Sequence, residues 1–528
     1  MRIIYLNILM VMALNFISCD AEKQNILIDM QKEYQTIHSF GASDAWRCQF
    51  IGAHWPTEKK EQMAQWLFSR ESDDNGQPLG IGLSLWRFNI GAGSMEQGEE
   101  SHINHPWRKT ESFLNADGTY DWSRQAGQQW FLQQAKKYGV EHTLAFTNSP
   151  PVHMTLNGQA YSDKNRTTLN IKEGHLDDYA EFLAKVCQHF DSIGLGFNYL
   201  SPINEPQWDW SNPSQEGSPA SNADMFHLTR HLNEAFLSRD LSTQIALGEA
   251  AEYNFLYQQE ESHPDVSNQL ETFWSPDSPF YLGSFEMVAP VYSGHSYFTT
   301  WPVEKLIEER ELVGQKMKEL DPSIDFWQSE FCILEENDDV NSGHQRDLGM
   351  ATALYVARVI HHDLVLTNSA TWHWWTALTQ VNYKDGLIYL DNGNEGISDQ
   401  QHADNQVLQK DGRFHDSKLM WALGNYSRFV RPGMIRVEAN IEGTEGPMQE
   451  AESFMVSAYK DPANRELVLV AVNYSREAQT FNLSYQRGFE KEVKTYTTSA
   501  SSNLLFSPAG INQLSLPAQS VKTFVFNY

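Results

Sequence analysis

The chain has 528 residues, 41% hydrophobic and 20% charged, an ordinary globular composition with room for one large core and a smaller companion unit. Its formal net charge is −29, which argues against nucleic acid or an anionic membrane surface as a partner held by a general field and favours a neutral one.

Met1-Arg2 is a short basic start, and Ile3 to Ile17 is mostly apolar, too short to span a bilayer and similar to a signal-peptide core. The run ends Phe16-Ile17-Ser18-Cys19, which resembles a bacterial lipoprotein box with Phe16 where leucine is usual. Residues 1–19 are therefore expected to be a lipoprotein signal, with Cys19 the lipidated N-terminus. Asp20-Ala21-Glu22 then resembles the acidic tail of surface lipoproteins of Bacteroides-like bacteria. The expectation is export across the inner membrane, with membrane contact only through Cys19. The other cysteines, Cys48, Cys187 and Cys332, have no metal-ligand spacing and read as buried thiols with at most one disulfide. No metal and no cofactor is expected.

Residues 20–35 read as a tether and a strand, Ile26-Leu27-Ile28. Eight strand-like runs follow at intervals of about 40 to 60 residues, separated by helical patterns. They are Ile37–Ala42, Leu83–Ile90, Val140–Phe146, Gly196–Leu200, Thr243–Leu247, Met287–Tyr292, Ile324–Glu330 and Ala370–Trp375. Helices are predicted over Thr57–Arg70, Trp122–Tyr138, Tyr179–Phe190, Asn222–Leu237 with Asn222 as cap, Val303–Leu320, Leu348–Leu364 and Lys418–Val430. The rhythm is that of a (β/α)8 TIM barrel over 36–430. An open doubly wound sheet is disfavoured because no Gly-rich phosphate loop follows any strand and polar residues end nearly every one. From 431 to 528 only β runs with turns appear, as in an antiparallel β-sandwich, which residues 24–34 are expected to join.

Two strand ends carry glutamates. Asn204-Glu205-Pro206 follows the fourth run, and Gln328-Ser329-Glu330 closes the seventh. Two carboxyls at two strand tips of one barrel are what glycosidic cleavage by retention needs, one attacking the anomeric carbon and the other giving and taking the proton. Arg87 and Tyr297 are candidates to keep the nucleophile ionised. Trp208 and Trp210 are candidates to wall the acid, and Asn204 to hold a sugar hydroxyl. Glu249 also ends a strand and ranks below Glu330; Glu335 and Glu336 read as solvated. His295 either orients Tyr297 or fills the barrel rim. Strand alternation predicts Trp372 and Trp374 facing the site and Trp375 packing outward. Trp46 and Asn148, just beyond the first and third strands, complete the candidates. The aromatic content, 12% of the chain, suits stacking on the apolar face of a sugar.

These residues resemble glycoside hydrolase family 30, in the clan of retaining barrel enzymes. The matching pieces are His38–Asp44, Arg87-Phe88-Asn89-Ile90-Gly91, Asn204-Glu205-Pro206, Gln328-Ser329-Glu330, Trp372–Trp375 and, most specifically, Ala422–Gly433 at the link into the sandwich. The resemblance implies Glu205 as acid/base and Glu330 as nucleophile. It also implies Asp44, Asn204, Tyr297 and Trp374 in contact with the sugar or the nucleophile. It departs from the family's pattern at Ala42, where a second glycine is common. The implied partner is a glycan, the implied assembly a monomer. Thr376–Ser417 holds one arginine, Arg413, which weakens glucuronate recognition, and Trp374–Gly386 resembles the β-1,6-galactanase branch. A β-1,6-galactan is therefore the expected substrate, with β-1,6-glucan, xylan or glucosylceramide-type activity, or non-catalytic glycan binding, as alternatives.

Overall fold

The computed structural model describes residues 23–321, 323–393, 406–484 and 488–528; Cys19 and the leader lie outside the described residues. Eight parallel strands, β1 Ser39–Ser43, β2 Leu85–Ile90, β3 His142–Thr147, β4 Tyr199–Ser201, β5 Gln244–Ile245, β6 Val291–His295, β7 Asp325–Glu330 and β8 Thr371–Trp374, form one sheet. Their order is 5-4-3-2-1-8-7-6, and single parallel bridges, Ile245 to Val288 and Ala250 to Gly294, join the two ends. A helix follows each strand, and the whole is a TIM barrel.

The helices form where the apolar spacing requires. Leu176–Ser192 buries Tyr179, Phe182, Leu183, Val186 and Phe190 along one stripe. Helix Asn222–Ser238 is capped by Ser221, not Asn222. The Ser221 hydroxyl accepts from the Asp224 N–H, and the Asp224 carboxylate accepts from the Ser221 N–H. Asn222 instead donates to the Ser267 carbonyl from inside the first turn.

Nine strands make the second sheet, in the order Ser502–Gly510, Glu492–Ser499, Ser520–Asn527, Glu466–Asn473, Phe454–Asp461, Ile435–Ile441, Gln24–Thr36, Gln479–Ser484 and Leu514–Leu516. Gln24–Thr36 pairs antiparallel with Ile435–Ile441 and parallel with Gln479–Ser484. Ile26, Leu469, Phe481 and Phe524 pack inside this unit. The link at Ala422–Gly433 has a physical task. Arg428 donates to the carbonyls of Ser69, Arg70, Glu71 and Gly80, fastening the last barrel helix to the segment before β2. A Cβ at Gly424 would lie 2.8 Å from Ile81 and 2.9 Å from Leu504, so only glycine permits that close approach of barrel and sandwich. The segment Thr376–Ser417 contains a small sheet of Leu378–Thr379, Ile388–Asp391 and Arg413–Asp416, none of which the sequence analysis names. Strands of two to four residues carry no usable periodicity.

Candidate active site

Glu330 is the last residue of β7, and Glu205 lies four residues beyond β4. Glu205 has φ +45°, a left-handed conformation unusual for a residue other than glycine, and its main chain is fixed on both sides. Its N–H donates to the Glu249 carbonyl at 3.0 Å, and its carbonyl accepts the Trp210 indole N–H at 3.0 Å.

Three buried carboxylates meet around Arg87 and His295. Arg87, on β2, donates to Glu330 Oε2 through one nitrogen and to Asn204 Oδ1 at 3.0 Å and Glu249 Oε2 at 3.2 Å through the other. The Tyr297 hydroxyl donates to Glu330 Oε1 at 2.9 Å. His295, the last residue of β6, places Nδ1 2.9 Å from Glu205 Oε1 and Nε2 2.7 Å from Glu249 Oε2. Ser329 donates to the same Glu249 oxygen at 2.7 Å. One oxygen each from Glu205 and Glu330 and one ring nitrogen of His295 lie within 4.8 Å of one another. That spacing also suits a metal ion, but Arg87 and Tyr297 already donate to both Glu330 oxygens, so the positive charge there comes from the protein.

The carboxylates are not equivalent. Burial raises Glu205 above the usual carboxylate range, against the lowering effect of His295. Glu249 is as buried, yet Arg87 and His295 outweigh desolvation and hold it at about 2. His295 resists its own desolvation through Glu330, Glu205 and Glu249 and is raised to about 10. The His295 ring thus bridges Glu205 and Glu249 through its two nitrogens. Glu252, after β5, is raised to about 7 by burial.

Of the remaining sequence candidates, Asp44 is buried and accepts the Asn89 N–H at 2.9 Å. Asn148 is buried at the tip of β3, its Nδ2 meeting no acceptor among the described residues. Trp210 is half-buried beside Glu205, and Trp46 is buried. The tryptophans of β8 reverse the predicted alternation. Trp372 donates its indole N–H to Asp363 on the preceding helix, and Trp374 donates to the Asp385 carbonyl; both are buried in the outer core rather than in the cluster that fills the bore. Trp375 is the half-exposed ring, edge-on to Trp46 at 5.2 Å and 6.3 Å from Phe146, whose face carries the Arg87 guanidinium at 3.8 Å. His373, whose Nε2 lies 3.2 Å from Ser39 Oγ, and Thr371 are the inward positions of β8, so the alternation was right and its phase wrong. Glu335 is half-buried, accepting the Thr300 N–H at 3.0 Å, rather than solvated. Glu249 is central rather than peripheral. Its signal was an acidic residue closing a strand, as at Glu330.

Comparison with known proteins adds three findings. The model of O-glycosyl hydrolase family 30 matches residues 23–389. Two curated relatives are a glucuronoxylanase of Bacillus subtilis (strain 168), 30% identical over 208 residues, and an exo-β-1,6-galactobiohydrolase of Bifidobacterium longum, 27% identical over 106 residues. These alignments cover 38% and 19% of this chain and only 40% and 7% of the relatives. A crystal structure of a conserved exported protein from Bacteroides fragilis is 36% identical, covers 95% of this chain and 99% of that one, and superposes with a TM-score of 0.88.

Proposed function

The chain belongs to O-glycosyl hydrolase family 30, and from that premise we propose that it is a retaining β-glycosidase acting on a polysaccharide, with Glu330 as nucleophile and Glu205 as acid/base. The observation that carries this reading is that one oxygen of Glu205 and one of Glu330 lie within 4.8 Å of each other. Retention needs carboxyls about 5–5.5 Å apart, whereas inversion leaves about 6.5–9.5 Å for a water.

The surroundings support the division of roles. Glu330 receives the Arg87 and Tyr297 donors on its two oxygens, as an anionic nucleophile requires. It attacks the anomeric carbon while Glu205, whose proton affinity burial raises, protonates the departing glycosidic oxygen. In the second step the Glu205 carboxylate takes a proton from water, the water attacks the glycosyl–Glu330 ester, and the sugar leaves with its β configuration. Asn204, held by Arg87, is aimed to bind a hydroxyl of the reacting sugar.

For the substrate we infer a β-1,6-linked galactan, supported by the β8 segment Trp374–Gly386 and by the galactobiohydrolase relative. Export, with a lipid anchor at Cys19, is part of the same reading, supported by the leader and the exported relative. The test is product release from β-1,6-galactan, β-1,6-glucan and glucuronoxylan offered side by side. Galactan is expected to be cleaved fastest; preference for glucuronoxylan would overturn the substrate and leave the reaction class.

A further inference from the structure

The chain leaving β6 carries two groups that touch the carboxylates, and the residue between them faces the other way. His295 and Tyr297 turn into the bore, where they meet Glu205, Glu249 and Glu330. Side chains alternate along a strand. Ser296, one residue past the end of β6, sends its hydroxyl outward to Asp363 Oδ2 at 3.1 Å. Asp363 belongs to helix Met350–Val365, which joins β7 to β8.

The Asp363 carboxylate is fully buried and fully used. Oδ1 accepts the Tyr253 hydroxyl at 2.9 Å and lies 2.8 Å from Arg310 Nε. Oδ2 accepts the Trp372 indole N–H at 2.9 Å beside the Ser296 hydroxyl. These partners come from the segment after β5, from helix Val303–Leu320, from β8 and from the tip of β6. A buried ion pair is a poor means of adding stability, because apolar side chains of similar volume often do as well. What this one provides is a set of directional bonds that end on Ser296.

Ser296 is held at every polar atom. Its N–H donates to the Glu330 carbonyl at 3.3 Å, so the peptide joining His295 to Ser296 is tied to the main chain of Glu330 itself. Its carbonyl accepts the Thr299 hydroxyl at 2.8 Å, which ties the peptide joining Ser296 to Tyr297. Arg310 donates to the Thr299 carbonyl at 2.8 Å, so the guanidinium that meets Asp363 also holds the turn beyond Tyr297.

We propose that Asp363, with Arg310 as its counter-charge and Ser296 as the link, is a positioning residue of the active site: it sets where His295 and Tyr297 stand against Glu205 and Glu330. Being fully buried behind the β6 tip, it touches neither substrate nor the reacting atoms. Its effect on turnover rests on the glycosidase reading; its effect on the His295 ring rests on the bonds alone.

The experiment compares the full chain with Ser296→Ala and Tyr253→Phe, two variants that remove a neutral hydroxyl and leave the Asp363–Arg310 pair intact. Ring N–H protons held against carboxylates resonate downfield, and those of His295 are assigned in proton NMR by their loss in His295→Asn. These signals are read together with kcat and KM on an aryl β-glycoside and with the melting temperature. In Ser296→Ala the His295 signals are expected to shift or broaden. Its kcat is expected to fall between about tenfold and about 10²-fold with KM within about twofold, as a displaced catalytic constellation implies. Tyr253→Phe keeps the Ser296–Asp363 bond and loses the neighbour of both, so the same changes are expected at smaller size. A Ser296→Ala chain that melts lower while its ring signals and kcat stay in place overturns the proposal. If Ser296→Ala does not fold, Tyr253→Phe decides by the same two readouts: changed signals and kcat support the proposal, and unchanged ones overturn it. If the natural chain hydrolyses no aryl β-glycoside while the His295 signals move in Ser296→Ala, the glycosidase reading fails and the positioning role stands.

Discussion

His295 Nδ1 lies 2.9 Å from Glu205 Oε1, while the opposite ring nitrogen is held 2.7 Å from Glu249 Oε2. Glu249 thereby fixes the ring, and the ring sets the proton affinity of Glu205. His295 lowers Glu205 through its hydrogen bond and its charge, against the raising effect of burial. His295→Asn should therefore raise Glu205 further. The general acid works only while protonated, so the alkaline limb of kcat/KM should move to higher pH. The rate on substrates with poor leaving groups should fall about 10²-fold, as loss of tuned acid–base catalysis implies. A lower rate with an unmoved pH profile would make His295 a packing residue only.

The tryptophans of β8 separate binding from stability. Trp375 is half-exposed at the cleft, so Trp375→Ala should raise KM about tenfold with little change in melting temperature, the loss of one stacking platform. Trp372 is fully buried with its N–H on Asp363, and Trp372→Ala should cost about 3–5 kcal/mol in stability. Thermal unfolding and steady-state kinetics on both variants check the assignment. Interchanged effects would restore the alternation expected from sequence.

Asp44 makes stability depend on pH. Burial lifts its carboxyl from 3.8 to about 8. The folded chain thus holds this proton more tightly than the unfolded one. The contribution is whole below about pH 4 and is lost as pH rises toward 8, at about 1.4 kcal/mol per pH unit. Asp44→Asn keeps the acceptor for the Asn89 N–H and cannot ionise. Its unfolding free energy should therefore gain on the natural chain steadily between pH 5 and pH 8. Parallel curves would mean that Asp44 is ionised in the folded protein.

The anchor is tested by Cys19→Ala expressed with the leader intact. The natural chain should fractionate with membranes and incorporate labelled fatty acid, and the variant should do neither. A natural chain that is soluble and unlabelled would remove lipidation from the account.

Much of the architecture was legible because it depends on period. Val303–Leu320 reads as a helix from its spacing alone and forms over those residues. The eight strand ends were legible because polar side chains terminate short apolar runs, which is how Glu205, Glu330, Arg87 and Tyr297 stood out. What did not show was anything set by phase or by distant partners. A strand of four residues such as β8 gives alternation but not which parity faces inward, so Trp375 exchanged places with Trp374. Glu249 looked like one more strand-end acid, because its importance lies in Arg87, His295 and Ser329, contributed by three other strands. Asp363 and Ser296 lie in separate segments that only the barrel brings together.

The central claim is that Glu330 forms the glycosyl ester and Glu205 serves its proton transfers. The most direct measurement is azide rescue on an activated aryl β-glycoside, with the product's anomeric configuration read by NMR. Glu205→Ala should keep the first step, accelerate with azide and yield the β-glycosyl azide, since azide opens the α-linked ester by a second inversion. Glu330→Ala should be inactive alone and yield the α-glycosyl azide by a single inversion. An α-azide from Glu205→Ala, or aryl-glycoside turnover by Glu330→Ala without azide, would contradict the account.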